Sequence, residues 1–371
     1  MADATAPSQQ TQHPDLLPPA SEVGVYGWLR SRLFSSPLNT ILTLLSASLI
    51  YLVLPPVLDW AIFSANWHEG TSRADCTNTG ACWIMVRARF AQFLYGFYPY
   101  DERWRVDLAL ILQFGAIAAL LTDRIPGKTY AAIFLFAVYP VLAYILLVGG
   151  LGLPLAETRL WGGLFLNIVL GSVGIVVSLP LGIVLALGRR SNLPMIRLLC
   201  VGFIEFVRGV PLITVLFMAS VMLPLFLPEG MTFDKLMRAM IGIALFGAAY
   251  MAEVVRGGLQ AIPKGQYEGA MALGLNYWKM TLLIVLPQAL RIVIPGIVNT
   301  FIGLFKDTTL VTIIGLFDLL GIVQTATRDA EWRGTGLEGY VFIAFGFFIF
   351  CFAMARYSIY LERKLHRGHK R

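Results

Sequence analysis

Apolar residues run through most of this chain in long blocks separated by short polar breaks, and about 20 helical residues suffice to cross a bilayer. Eight such blocks fall near residues 38–58, 107–122, 130–150, 163–187, 198–224, 236–256, 289–305 and 339–361. They predict an all-α integral membrane protein with eight crossings, the second and seventh being the shortest. An even number puts both termini on one side. The one long break, 64–106, mixes aromatics with arginines in "CWIMVRARFAQFLYGFYPYDERWR" and has the pattern of an amphipathic helix lying in the interface.

Composition agrees with that pattern. Hydrophobic residues make up 57% of the 371, charged residues only 14%, and the mean hydropathy is +0.71; the charged share is about half that of soluble domains. The surplus of seven positive charges needs no nucleic acid. Arg30, Arg32, Arg124, Lys128, Arg189, Arg190, Arg197, Arg256, Lys264, Lys279, Arg291 and the tail after Arg356 all fall on one face of the eight-crossing arrangement. Short basic loops stay cytoplasmic and attract anionic lipid, so this face and both termini are predicted cytoplasmic.

Polar residues 1–37 are proline-rich, predicted disordered at the start, and too long a leader for a cleaved signal. Cys200 and Cys351 sit in apolar runs. Cys76 and Cys82 lie in the 64–106 loop, where an oxidising compartment would permit a disulfide that the spacing neither requires nor excludes.

From Ala252 the chain reads "AEVVRGGLQAIPKGQYEGAMALGLNYWKMTLLIVLPQ". Gly257 and Gly258 weaken a helix and Pro263 with Gly265 break it, so the sixth crossing ends here. A short helix restarts at Gln266 and stops at Gly274, and a second amphipathic piece follows, closed by Pro287. A plain hairpin between crossings would share this composition. The small residues Gly269, Ala270, Ala272 and Gly274 would also let another protein approach the backbone, with Glu268 free to pair with a basic group.

Spacing separates these two readings. Glu268-Gly269-Ala270, then Gly274, then Ile284 and Leu286-Pro287 resemble the "EAA…G…I-LP" loop of the membrane subunits of bacterial ABC importers, with glycine replacing alanine in the second place. "IEFVRGVPLITVLF", "AIPKGQYEGAMALGL" (with Pro263, Lys264, Gly265 and Tyr267) and "LPQALRIVIPGIVNTFIGLFKDTTLV" narrow the resemblance to permeases of the polar amino-acid uptake group over about 160–365. The N-terminal crossings are similar to one subunit of the general L-amino acid importer of Gram-negative bacteria. The resemblance implies a five-helix permease core at 161–365 holding a coupling loop at 257–288, preceded by three extra crossings at 38–160 and followed by a basic tail at 366–371. It further implies an inner-membrane location, a second and different permease chain, a cytoplasmic ATPase dimer and a periplasmic amino-acid-binding protein. ATP and Mg would bind the ATPases, and no cofactor this chain.

Other features are weaker. "PGKT" at 126–129 lacks the earlier glycine of a phosphate loop, because position 122 is Thr122. Glu205 and Arg208 are three apart in an apolar run and are expected to pair on one helix face, holding Gly209-Val210-Pro211 or touching substrate. Asn299, Lys306 and Asp307 are further pathway candidates; Gln288 reads as an interhelical hydrogen-bond partner. His366 and His369 lack a completing ligand set, and no nucleophile, base and oxyanion group assemble into an enzyme site. Two other functions fit less well: an ion-coupled secondary transporter, with the intramembrane charges as coupling sites, and a membrane-anchored receptor using the 64–106 loop.

Overall fold

A computed structural model describes residues 24–122, 127–226, 228 and 233–366; Arg124, Pro126, His369 and the first 23 residues of the polar N-terminal segment lie outside them. The described chain is almost entirely helical: α1 (Gly24–Arg32), α2 (Pro37–Phe63), α3 (Trp83–Ala88), α4 (Phe90–Tyr95), α5 (Tyr100–Leu121), α6 (Lys128–Val148), α7 (Gly163–Arg189), α8 (Pro194–Arg208), α9 (Leu212–Phe226), α10 (Lys235–Gln260), α11 (Lys264–Ala272), α12 (277–292), α13 (Ile294–Ile314), α14 (Leu319–Arg328) and α15 (Gly336–His366).

The described residues form two compact units, one within 1–66 and 77–81, the other within 67–76 and 82–371. In the first, Ser36 caps α2 by accepting the Asn39 amide at 3.2 Å. No residue of α2 from Pro37 to Leu58 is buried within the chain. A helix apolar on every side and exposed must be covered by lipid or by protein.

In the second unit α10 is the most deeply packed membrane helix, and α7 lies along it. Gly171, Gly174, Ser178, Gly182 and Ala186 form a buried stripe of small residues on α7. A Cβ at Gly174 would come within 2.9 Å of Ile243, and one at Gly182 within 2.6 Å of Met251. Close backbone approach supplies the dispersion contacts that hold helices together where lipid removes the hydrophobic drive.

Among the described residues seven helices are individually long and apolar enough to cross a membrane; α8 and α9 are so only together, and they meet at 106°. The expected fifth crossing, 198–224, is therefore a sharply bent pair. Pro211 lacks an amide donor and drives Val210 away from helical geometry, while the Gly209 amide closes α8 on the Glu205 carbonyl at 2.9 Å. The seventh crossing also shifts, from 289–305 to Ile294–Ile314, because α13 starts with Pro295 in its first turn, where a missing amide costs nothing. Pro287 does not close the preceding piece: α12 continues through it to Ile292, with a π-turn at Thr281–Val285 just before.

The break at 64–106 is not one interfacial helix. It folds into α3 and α4, whose Ile84, Met85 and Phe93 are buried in a cluster with Ile322, Trp332 and Phe347. Backbone bridges join Gly96 to Trp161, and Gly162 and Gly163 to Phe317 and Asp318, fixing this segment to the Gly163 end of α7.

Candidate functional site

At the Arg189 end of α7 the chain emerging from α10 turns at Pro263 into α11. Ile262 is buried just before the turn, and Tyr267 packs on the same cluster from the far side, a hydrophobic staple fixing the entry angle. The Tyr267 hydroxyl donates to the Leu259 carbonyl at 3.2 Å, and Arg190 donates to that carbonyl and to the hydroxyl at 3.2 and 3.3 Å. Gln288 donates to Gln266 at 3.0 Å, tying α11 to α12.

The end of α11 is a complete left-handed cap. Gly274 adopts φ +72°, its amide reaches Met271 O at 2.9 Å, and the Leu275 amide reaches Ala270 O at 3.2 Å. Ala270 is buried against Ile262, Met280 and Ala289, so its small size serves packing inside the chain, contrary to the sequence expectation of an approach surface for another protein. Gly258 likewise packs rather than breaks the helix: α10 continues through it to Gln260, and a Cβ there would meet the Ala289 carbonyl at 2.6 Å. Facing outward are Lys264, Gly265, Glu268, Gly269, Met271 and Leu273, the last 78% exposed, beside Tyr277 and Trp278. Glu268 has no ion pair within the described residues. Ile284 is half-buried and Leu286 buried, while Pro287 is exposed.

Glu205 and Arg208 do not pair with each other. Arg189 Nη1 lies 2.8 Å from Glu205 and 2.8 Å from Glu253, Arg256 holds the other oxygen of Glu253 at 2.8 and 3.0 Å, and Arg208 stands 3.7 Å from it, over the ring of Tyr250 at 5.6 Å. Three guanidiniums and two carboxylates thus join α7, α8 and α10. Sequence reasoning missed Glu253 as the hub, although its i,i+3 spacing to Arg256 at the end of an apolar run was a readable signal.

Toward the opposite end of α7, buried Asn167 donates to Thr308 at 2.8 Å and to Asp318 at 3.1 Å, and accepts the Leu319 amide at 2.9 Å. Asp318 also accepts from Thr312 and from the amides of Leu320 and Gly321 at 3.2 and 3.0 Å, capping α14. Burial pushes the Asp318 carboxyl up, and these donors pull it back. Aspartate before an apolar run was the missed signal.

Exposed Lys306 and half-buried Asp307 adjoin Thr308 and so lie at the Asn167 level, whereas Glu205 and Arg208 lie at the Arg189 level. The two levels are roughly 33 Å apart along α7 at 1.5 Å per residue. The pathway candidates therefore form two sets, not one. Asn299 is exposed on α13 between them. Cys76 and Cys82 are joined as a disulfide, and the Cys82 amide donates to Glu338 at 2.9 Å. Among the described residues no group of three or more histidine, cysteine, aspartate or glutamate side chains could hold a metal.

Residues 178–367 match the family described as binding-protein-dependent transport system inner membrane component. Over 342 residues, 92% of this chain and 93% of the relative, the sequence is 55% identical to the inner membrane amino-acid ABC transporter permease protein YhdY of Escherichia coli strain K12. It is 43% identical to the glutamate/glutamine/aspartate/asparagine transport system permease protein BztC of Rhodobacter capsulatus, covering 95% of this chain and 96% of that one. The glutamate/aspartate import permease protein GltK of Escherichia coli O6:H1 is 31% identical over 54% of this chain and 91% of its own length. The bent pair, the capped α11 and the membrane helices around them thus sit in a chain that belongs to the family of binding-protein-dependent transport system inner membrane components, as an ABC importer permease.

Proposed function

We propose that this chain is the membrane-spanning subunit of an ATP-driven importer that moves polar L-amino acids from periplasm to cytoplasm by alternating access. The observation that carries the reading is the 55% identity to an amino-acid permease across nearly the whole chain, joined to an α11 whose outer face is exposed and whose Lys264 and Glu268 make no ion pair among the described residues. A cytoplasmic ATPase pair docks on Lys264, Glu268, Met271 and Leu273, supplies ATP and Mg, and moves α11 as a lever. A second permease chain completes the pathway, and a periplasmic binding protein delivers substrate. The basic Arg189 and α11 end faces the cytoplasm with both termini, as the arginine and lysine distribution supports. Asp307, Lys306 and Asn299 contact substrate in the pathway. The three N-terminal crossings precede the five-helix core, a division supported by GltK, whose length corresponds to about half of this chain.

Uptake of labelled amino acids into proteoliposomes tests this reading. With the ATPase and binding protein present, ATP-dependent uptake of polar L-amino acids is expected, and Glu268→Arg is expected to lose ATPase copurification and uptake together. Uptake driven by an ion gradient without ATPase, unaffected by Glu268→Arg, would overturn it.

A further inference from the structure

The five-charge cluster at Glu253 holds one more arginine than it has carboxylates to receive, and its least committed member sits beside the α8–α9 bend. Arg189 grips Glu205 and Glu253 with the same nitrogen, each at 2.8 Å; Arg208 is held only at 3.7 Å. Arg208 is also three residues from Glu205 on α8, a spacing that puts the two side chains on one helix face.

We propose that these charges have two complete pairing patterns, and that Arg208 is the positioning residue that makes the second one available. In the pattern seen here, Glu205 is bound to Arg189, which latches α8 to α7, while Arg208 and Arg256 both face Glu253. In the second, Glu205 turns to Arg208 on its own helix, and Glu253 keeps Arg189 and Arg256. No carboxylate is orphaned in either. This matters for Glu253, whose side chain is only 15% exposed and keeps two partners in both patterns, because leaving a largely buried charge unpaired is costly, whereas exposed Glu205 exchanges one partner for another at little cost. The bent pair can then leave α7 and α10 by trading contacts, which is the requirement for a two-state element rather than a continuously deformable one.

The cluster is also wired to the docking helix. Arg190, next to Arg189, bonds the Leu259 carbonyl and stacks its guanidinium over the Tyr267 ring at 5.8 Å. A displacement of α11 therefore pulls on the residue adjacent to the latch, and the Gly209-Val210-Pro211 bend lies immediately after Arg208. This inference rests on the importer reading above, in which α11 moves with the ATPases.

A native cysteine provides the test. A Cβ built at Gly188 lies 3.5 Å from the Cβ of Cys200, within the range of a disulfide, so Gly188→Cys can be bridged to Cys200 across the α7–α8 contact. The measurement is made on the complete transporter in proteoliposomes, using only complexes that copurify the ATPase, with cross-link yield and uptake read together. Oxidation is expected to stop uptake and reduction to restore it. In the Gly188→Cys background, Arg208→Gln removes the second pattern and should raise the ratio of latched to released protein about two- to fivefold, the size expected of an exposed ion pair, whereas Arg189→Gln removes the latch and should lower it by a similar factor. Arg208→Lys keeps the exchange and should behave as the parent. The proposal is overturned if oxidised protein still transports, or if Arg208→Gln and Arg189→Gln shift the yield in the same direction. Failure of the importer reading shows separately, as wild-type protein that takes up substrate with no ATPase bound.

Discussion

Asn167 and Asp318, 151 residues apart in sequence, are hydrogen-bonded at 3.1 Å inside the bundle, and both are fully buried. Thr308, Thr312 and the amides that open α14 converge on this pair. The Asn167 amide nitrogen serves Thr308 and Asp318, its oxygen takes the Leu319 amide, and both Asp318 oxygens accept from backbone and side-chain donors. The pair locks the start of α7 to the junction between α13 and α14.

Asp318→Asn is therefore not a conservative change. All four groups facing the carboxylate are donors, so an amide must turn its own N–H groups toward at least one of them and leave it unsatisfied. A loss of about 3 kcal/mol in unfolding free energy is expected, measured by denaturant unfolding in detergent. Asn167→Asp should cost at least as much, since it places a second carboxylate against the first.

Gly274 separates two roles that a sequence alone merges. The open space around it leaves room for a side chain, but φ +72° does not suit one. Gly274→Ala should cost about 1–2 kcal/mol through the left-handed backbone, with faster hydrogen exchange at the Gly274 and Leu275 amides. Gly274→Asn should cost less, because asparagine tolerates that region. If the glycine serves as the α11 cap, the asparagine variant retains ATPase association; a partner pressed directly on the backbone would reject both variants.

The disulfide strap gives a third expectation. Cys76 and Cys82 close a short loop; at its end the Cys82 amide donates to buried Glu338, and just before it Arg73 donates to the Gly334 carbonyl at 3.3 Å. Replacing both cysteines by serine should lower stability by about 2 kcal/mol, the chain-entropy value for a loop of this size. Thermal unfolding followed by intrinsic fluorescence would show it, while Arg189-end properties such as ATPase association should stay unchanged.

What was legible in the sequence follows from how each feature is encoded. Membrane spans are set by length and polarity over 20 residues, so most were placed within a few positions. The α11 helix was readable because Pro263 and Gly274 carry local conformational meaning. The bend was only half-readable: Gly209-Val210-Pro211 announces a break, but its 106° angle depends on what α8 meets, and α8 meets Arg189. Glu205 and Arg208 were expected to pair because a helix puts them on one face. Tertiary partners on α7 and α10 outbid that local option. Asn167 and Asp318 were missed because a buried hydrogen bond across 151 residues leaves no periodic trace in either segment.

Asp75 supplies a pH dependence whose sign can be worked out. Its carboxylate accepts the Ser72 and Thr71 amides at 3.0 and 2.8 Å, which holds its pKa below the ordinary value although the side chain is exposed. A depressed folded-state pKa means that the unfolded chain binds the proton more readily. The contribution to stability is thus complete above the unfolded pKa, near pH 4, and is lost as pH falls through the depressed folded value. Asp75→Asn keeps a weaker acceptor and has no proton to lose, so the variant should melt below wild type at pH 6, and the gap should close as the medium is acidified below about pH 4. Melting curves of both proteins at intervals between pH 6 and pH 3 decide it: a gap that stays constant would mean that the charge of the Asp75 carboxylate does not contribute to the turn at 71–75.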